Sequence, residues 1–316
     1  MIRFLTHRTL QGIVLILIVS MIGFTVINLA PGGPLSQYAM TPGMSQQDLD
    51  RIAHQMGLDR PIPVQYLDWL VNMVSGDWGK SYRDQSPVLD VVWRHMWATL
   101  LLMGTSTAIA VALGTLIGVL GALKRYSVFD YMATVGAMIA LSIPTFWFGL
   151  VAIFFFSLEL GWLPAGNMYT VGDQSFSDYA IHLIMPSIVL ALVNVAIWSR
   201  YMRASTLDVM DQDYVRTARA KGLPRWRIVS AHIVRNALIP MITLAGLQLP
   251  TIIGGALVTE TVFTWPGLGR LFIDSLGYND YPVIMGLLMF SAILTVIGNF
   301  LADIGVALAD PRIRLG

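Results

Sequence analysis

The chain of 316 residues contains no cysteine, and only 12% of its residues are charged. The lack of cysteine excludes disulfide bonds, thiol chemistry and cysteine-ligated metal sites. Soluble domains carry about 25% charged residues. The low charge, the 55% of hydrophobic residues and a mean hydropathy of +0.65 therefore indicate an integral membrane protein. The net charge of +1 gives no indication of a nucleic-acid partner.

Motifs for catalysis and nucleotide binding are lacking as well. The sequence has no H-E-x-x-H, no G-x-S-x-G and no pair of carboxylates within one apolar run. Gly79-Lys80-Ser81 is similar to the end of a phosphate-binding loop, but that loop needs a glycine where Val74 stands. We therefore expect a chain that is not an enzyme and binds no cofactor of its own.

Long apolar runs predict an all-α integral membrane protein with six transmembrane helices, because about 20 apolar residues span a bilayer. The first run is too long for the core of a signal peptide, and Pro31 follows it directly, so we expect it to be retained. Prolines interrupt three of the runs, which is typical of helices that line a path and also of tolerated membrane prolines. These prolines are Pro144, Pro186 and Pro250. The predicted spans are 10–30, 98–123, 131–158, 181–203, 240–263 and 283–309.

The distribution of Lys and Arg predicts the orientation in the membrane. Basic residues lie in the N-terminus, at 124–125, in 200–235 and in the tail, whereas the loops 159–180 and 264–282 together hold only Arg270. Both termini are therefore expected in the cytosol. The chain divides into 1–30 with the first span, an extracytoplasmic helical segment at 31–96, and a core at 97–316 that holds five spans and a cytoplasmic loop at 204–238.

The segment 31–96 is predicted to hold two amphipathic helices. Ser45 can cap the first, because Asp48 follows three residues later. The second carries one apolar face, and both are too short and too polar to cross a membrane. We expect them to lie on the membrane surface or to form a small outer subdomain. The apolar face of the second helix is formed by Val64, Leu67, Val71 and Val74.

The strongest local feature is a basic stretch between two apolar runs, DYVRTARAKGLPRWRIVSAHIVRNALIP at 213–240. Between Arg200 and Arg235 there are eight Lys or Arg residues against three Asp. A first helix should end at Gly222 and Pro224, since glycine suits the position after a helix and proline cannot continue one. A second helix is predicted from near Arg225 towards Ala237.

This stretch resembles the EAA loop of ABC importer permeases, through Ala218 and Gly222 in the pattern A-x-x-x-G. YVRTARAKGL followed by HxxRNAL is more similar to the dipeptide, oligopeptide and nickel branch of that family. Arg216 stands where the general pattern has glutamate, and Arg235 where it has proline. Both departures fit the peptide branch. Further similar blocks in the same order include NLAPGGP, SIPTFWFG, LGWLPAG, TETVFTWPGLGR and the terminal DPRIRLG.

The resemblance implies a permease subunit of a bacterial or archaeal inner-membrane importer that works by alternating access. It implies a second homologous permease, two ATP-binding subunits that use ATP and Mg, and an extracytoplasmic substrate-binding protein. Peptides are the expected cargo, with nickel or another small solute as the alternative. Residues 31–96 are then expected to contact the receptor or a neighbouring permease, with a surface-lying spacer as the alternative.

The resemblance also makes the basic loop the element that docks on the ATPase subunit. Ala218 and Gly222 lie one helical turn apart and should share a face, where small side chains allow close approach of a partner. Tyr214 extends that face, and Leu223 offers an apolar tip. The alternative is an ordinary basic loop that obeys the positive-inside rule. The expected coupling residues are Tyr214, Thr217, Ala218, Ala220, Lys221, Gly222, Leu223 and Pro224.

Polar residues inside the predicted spans are the remaining candidates, because buried polar groups in membranes are costly and often functional. Asn194, Gln248 and Glu260 could face a translocation path, and helix–helix hydrogen bonding is the alternative. Asn299 and Asp303 lie in the last span. Gly114 and Gly118 have the G-x-x-x-G spacing that permits close helix approach, although chance would also produce it in a glycine-rich membrane protein.

Two other classes of function fit the sequence less well. A secondary transporter usually has inverted repeats and intramembrane charges for ion coupling, and the sequence shows no such repeat and few such charges. An intramembrane enzyme would need one of the catalytic motifs that are absent. Co-purification with ATPase subunits would favour the importer, and transport by the chain alone in liposomes would favour the secondary transporter.

Overall fold

The computed structural model describes residues 2–29, 33–35, 43–55, 57–173, 175–248 and 256–309. Within these residues the chain is helical, and the extended pairing is an isolated bridge between Lys80 and Pro87. The described chain forms two compact units. One takes in the residues up to Trp97 and Gly267–Ile297, and the other takes in Ala98–Pro266 and the residues from Gly298 onward.

Thirteen α-helices are described, and two of them continue into π-helices at Ile153–Glu159 and Ile228–Val234. The helices are α1 Ile2–Leu29, α2 Gln46–Gln55, α3 Ile62–Val74, α4 Val88–Leu123, α5 Val128–Ser142, α6 Thr145–Ala152, α7 Phe176–Met210, α8 Asp213–Ala220, α9 Arg225–Arg227, α10 Arg235–Gln248, α11 Leu257–Val262, α12 Leu268–Gly277 and α13 Tyr281–Ala309.

Within the described residues, four helices are long and apolar enough to cross a membrane, and five spans result if one bent pair counts as a span. The bent pair joins α5 to α6 and its π-helical extension at an angle of 100°, at Ile143 and Pro144 where the sequence predicted an interruption. The sequence predicted six spans. The predicted fifth span, 240–263, includes 249–255 with Pro250, and these residues lie outside the described ones.

Two predicted spans are shorter than the helices that contain them. α4 begins at Val88, ten residues before the predicted start, and α7 runs from Phe176 to Met210, beyond both predicted ends. Ser175 caps α7, because its hydroxyl accepts a hydrogen bond from the amide of Asp178 at 3.3 Å. The hydropathy of the sequence indicates which residues lie in the hydrocarbon core of the bilayer, whereas capping and packing decide where the helix ends.

In the first unit, α1 lies along α13. A side chain at Gly12 would collide with Val296, and one at Gly23 would press on Met285. The Gly79-Lys80-Ser81 stretch has a structural role here: Ser81 donates a hydrogen bond to Asp280 at 2.5 Å, and the amide of Tyr82 donates to the same carboxylate at 3.0 Å. Both Ser81 and Asp280 are buried, so the hydroxyl holds this turn in place.

In the second unit, α4 and α7 pack closely at the two glycines of the G-x-x-x-G pattern. A Cβ at Gly114 would lie 2.7 Å from Cβ of Trp198, and one at Gly118 would lie 2.6 Å from the carbonyl oxygen of Ser199. The predicted close helix approach is therefore confirmed. The Trp198 indole also donates a hydrogen bond to Thr115 at 3.0 Å, which fixes the register of the two helices.

Candidate functional site

The basic stretch folds as predicted at its turn. α8 ends at Ala220, and Gly222 has a φ of +69°, a conformation that glycine adopts without steric cost. The amide of Leu223 donates to the carbonyl of Ala218 at 3.3 Å, and the amide of Gly222 donates to Arg219 at 3.0 Å. These two bonds define a Schellman motif, which satisfies the last carbonyls of the helix.

A small apolar core holds the two arms of this helical hairpin together. It consists of Val215 and Ala218 from α8 and of Ile228 and Ile233 from the π-helix, all buried. The expectation that Ala218 shares an outward face with Gly222 is wrong, because Ala218 is only 4% exposed and packs on the second arm. The expected tip residue, Leu223, is also half-buried against this core. The small residue at 218 therefore allows the two arms of the same chain to approach.

The outward surface of the hairpin is formed by the other predicted residues. Tyr214 is 43% exposed. Sequence reasoning missed Trp226, which is 72% exposed at the start of the second arm and forms the apolar tip instead of Leu223. Its position two residues after Pro224 and between Arg225 and Arg227 was the available signal, because charged neighbours on both sides favour an exposed position. The exposed predicted residues are Tyr214, Thr217, Ala220, Lys221, Gly222 and Pro224.

Arginines surround this tip and make it strongly basic. Arg216 lies 3.6 Å from Asp213 one turn earlier, and both side chains are exposed, so this pair contributes little to stability. Arg219, Arg225 and Arg227 are also exposed. A hydrophobic knob within a positively charged rim is suited to an apolar groove with acidic margins.

The second arm is a continuous helical path from Arg225 to Gln248. It begins with α9, passes through seven π-helical residues, and continues as α10 through Pro240, so the predicted second helix and the start of the predicted fifth span form one helical path. π-helical turns are rare in proteins, and those that occur are often found at functional sites. Because of this continuity, the hairpin tip is joined directly to the helix that enters the predicted fifth span.

Two contacts fix the base of the hairpin. Ser205 of α7 is buried and donates a hydrogen bond to the carbonyl of Ala237 at 2.9 Å, which ties the two ends of the hairpin together. Arg203, two residues earlier in α7, makes a two-pronged ion pair with Asp130 of α5 at 2.6 and 2.7 Å. The amide of Tyr126 donates to the same carboxylate at 3.0 Å. The loop is thus anchored to the turn that precedes α5.

Glu260, one of the expected path residues, is fully buried in α11. It accepts a hydrogen bond from the hydroxyl of Thr99 of α4 at 2.7 Å. Trp265, also fully buried, donates its indole N–H to the carbonyl of Ala98 at 2.8 Å, so two bonds join this turn to α4. This favours the alternative interpretation, helix–helix hydrogen bonding, and places Glu260 away from any surface of the described chain.

The structure does not describe the side chains of all the other polar candidates. Asn194 is half-buried, and its side-chain amide donates to the carbonyl of Leu190 in its own helix at 3.2 Å. The side chains of Gln248 and Asp303 lie outside the described residues.

The chain was compared with known proteins. Residues 114–315 match the family described as "Binding-protein-dependent transport system inner membrane component", and residues 1–103 match the N-terminal part of such membrane components. The chain belongs to this family. The permease is thus a multi-pass protein of the bacterial inner membrane and a transport component of an ABC importer, whose ATPase is a separate subunit.

Named relatives cover the permease almost completely. It is 45% identical over 316 residues to the oligopeptide transport system permease protein AppB of Bacillus subtilis, covering 99% of this chain and 100% of that one. It is 34% identical over 336 residues to the dipeptide transport system permease protein DppB of Escherichia coli, covering 99% of each.

Among solved structures, a chain of the MetNI methionine ABC transporter in its inward-facing conformations matches the fold. The TM-score is 0.56 at 20% identity, over 70% of this permease and 97% of that chain. At this identity the match supports the fold alone.

Proposed function

We propose that this permease forms one half of a path for peptides and takes up the force of ATP hydrolysis through the hairpin at 213–238. The observation that carries the proposal is the exposed tip on a hairpin with its own apolar core: Trp226 and Tyr214 are exposed, whereas Val215 and Ala218 are buried. A rigid, self-packed knob is suited to transmit movement, because its shape does not depend on the partner.

In this proposal the outward residues make the contact and the inward ones keep the shape. Trp226, Tyr214 and the turn at Lys221 to Pro224 enter a groove of the ATPase subunit, with Thr217 and Ala220 at its edge. Ala218 and Leu223 hold the two arms together. ATP and Mg are bound by two such partner subunits, and closure of these subunits rocks α7 and α10 between inward- and outward-open states.

The peptide cargo rests on the relatives, which are named for oligopeptides, dipeptides and, in Pseudomonas aeruginosa, di- and tripeptides. A second homologous permease completes the path, and an extracytoplasmic binding protein delivers the peptide. Asn194 of α7 and Gln248 are proposed to face this path. Both termini are proposed to lie in the cytosol, with 31–96 outside and 240–263 as the fifth in order of the six spans that this arrangement needs.

Substitution of Trp226 tests the coupling proposal. Trp226→Ala removes an exposed side chain and should leave the permease folded, but we expect it to lose its ATPase subunits during purification and to stop peptide-stimulated ATP hydrolysis. Trp162→Ala is the matched control, because Trp162 is 69% exposed in the loop between the third and fourth predicted spans. Normal ATPase retention and uptake in Trp226→Ala would exclude this knob as the coupling contact.

The cargo is tested separately, in cells that depend on this importer. Labelled di- and oligopeptides should be taken up, and unlabelled peptides should compete whereas nickel should not. Competition by nickel alone would favour the alternative cargo while leaving the coupling proposal intact.

A further inference from the structure

The helix α3, Ile62–Val74, has three different faces. One face packs on α1 through Tyr66 and Trp69, and a second carries Gln65, Asp68 and Asn72. The third face is apolar and exposed. It consists of Val64 at 41%, Leu67 at 57%, Val71 at 66% and Val74 at 77% exposure.

The packed face contacts α1 well inside its apolar length. The hydroxyls of Tyr66 and Ser20 lie 2.8 Å apart, and Ser20 is fully buried. Phe24, one turn further along α1, places its ring 5.6 Å from Tyr66 and 5.8 Å from Trp69. The bond between the two hydroxyls satisfies polar groups that would be costly to leave unpaired in hydrocarbon.

The position of Ser20 along α1 sets the depth of this contact. Ser20 precedes Leu29 by nine residues, which is about 13.5 Å of helix at 1.5 Å per residue. A bilayer core is about 30 Å thick, so Ser20 lies near its middle if α1 spans it. At the level of Phe24, α1 also exposes Ile22 at 59% and Val26 at 61%, which require a hydrocarbon environment there.

The exposed stripe of α3 therefore continues the lipid-facing surface of α1 and does not project into water. The neighbouring α2 provides a contrast, because it is polar and carries Asp48, Asp50 and Arg51 on exposed positions. An aqueous location suits α2 and would leave four valine and leucine side chains of α3 unfavourably hydrated.

The polar face of α3 turns to a cavity of about 820 Å³ within the same unit. Gln65, Asp68 and Asn72 line it together with Val71, which lies at the edge between this face and the apolar stripe. Asp68 makes an ion pair with Arg60 at 2.9 Å. The charged groups of this helix are thus removed from the apolar stripe, so the helix can sit in lipid with its polar side on an aqueous pocket.

We propose that α3 is a membrane-inserted helix that lies in one leaflet beside α1, with acyl chains covering Val64, Leu67, Val71 and Val74. The choice of the outer leaflet rests on the proposed orientation, whereas the insertion itself does not.

Nitroxide scanning in lipid nanodiscs tests this on the assembled transporter, and the cysteine-free chain allows single sites. Leu67→Cys and Asn72→Cys lie on different faces of α3, with Leu67 on the apolar stripe and Asn72 lining the cavity; Val26→Cys serves as the lipid reference and Asp48→Cys as the aqueous one. We expect the ratio of collisions with oxygen to collisions with a water-soluble nickel chelate to be as high at 67 as at 26. At 72 we expect it to be as low as at 48.

Two results would overturn the proposal. A low ratio at 67 would place the stripe in water, and low collision rates with both reagents would show that a protein partner covers it. Labelling of Asp48→Cys by an impermeant maleimide in intact cells checks the orientation independently. Failure of that labelling would place α3 in the other leaflet without affecting the depth measured at 67.

Discussion

Two helical segments outside the predicted spans differ in where they bury their apolar side chains. The hairpin at 213–238 has a core of its own, with Val215 and Ile233 almost fully buried. In α2 and α3 no residue is buried, and α3 depends on α1 for its contacts. A segment that must keep its shape against a moving partner needs its own core. A segment that packs against a transmembrane helix can instead bury its apolar side chains on that helix.

The largest effect is expected from the core of the hairpin. Ile233→Ala should destabilise the hairpin by about 2–5 kcal/mol, since a buried side chain is lost and leaves a cavity. Hydrogen exchange of residues 213–238 should accelerate strongly. Ile239→Ala is the control, because Ile239 is 42% exposed in the same helical path. Equal protection in both variants would mean that the hairpin does not depend on its own core.

A smaller effect is expected at the base of the hairpin. Asp130→Asn leaves the shape of the side chain but removes the charge that binds Arg203, and a hydrogen bond to a charged group contributes about 1.5–3 kcal/mol. Thermal unfolding in detergent should show the loss, and Asp211→Asn, an exposed carboxylate at the end of α7, should not. If Asp130→Asn is as stable as the parent, the ion pair does not anchor the loop.

The contact between α3 and α1 should contribute less to stability. Tyr66→Phe removes the hydrogen bond to Ser20, which contributes about 1 kcal/mol, and Ser20→Ala also removes the bond that the Ser20 hydroxyl donates to the carbonyl of Leu17 at 2.8 Å. The double variant should then be no less stable than Ser20→Ala, because the bond between the two hydroxyls is already absent in that variant. Additive losses would show that the two hydroxyls do not interact.

The smallest effect is local and depends on pH. Ser45 caps α2: the amide of Asp48 donates to its hydroxyl at 3.3 Å, and the hydroxyl donates to the Asp48 carboxylate at 2.6 Å. The bond from the Ser45 hydroxyl to the carboxylate, and a second one from the Ser45 backbone amide at 3.2 Å, lower the pKa of Asp48. Their contribution is present above the unfolded pKa and disappears as the pH falls through the folded one. Amide exchange in 46–55 should accelerate on acidification, and Ser45→Ala should reduce that pH dependence, because only the backbone amide of residue 45 then donates to the carboxylate.

Local chemistry was predictable where one residue type decides the outcome. The Ser45 cap and the turn at Gly222 were both expected from the sequence and are both present. Gly114 and Gly118 predicted a close approach but not its partner, because spacing identifies a flat helix face without saying what lies on it.

The errors share a physical reason. Ala218 was assigned to an outward face because a helical pattern tells which residues lie together, but not whether the facing surface belongs to the same chain. Trp226 was missed because its exposure follows from how the second arm packs on the first, which the sequence pattern does not show. The buried bond between Glu260 and Thr99 joins residues that are 161 positions apart, and no local pattern contains that information.

The contact between α4 and α7 has a mechanical consequence. With Trp198 over Gly114 and the carbonyl of Ser199 against Gly118, neither helix can slide along the other without a backbone collision. The contact leaves tilting of α7 relative to α4 as the available movement, with the contact at Gly114 and Gly118 as the point about which α7 tilts. Met210 lies 12 residues beyond Trp198, about 18 Å along the helix, so a tilt of about 10° would move that end by about 3 Å.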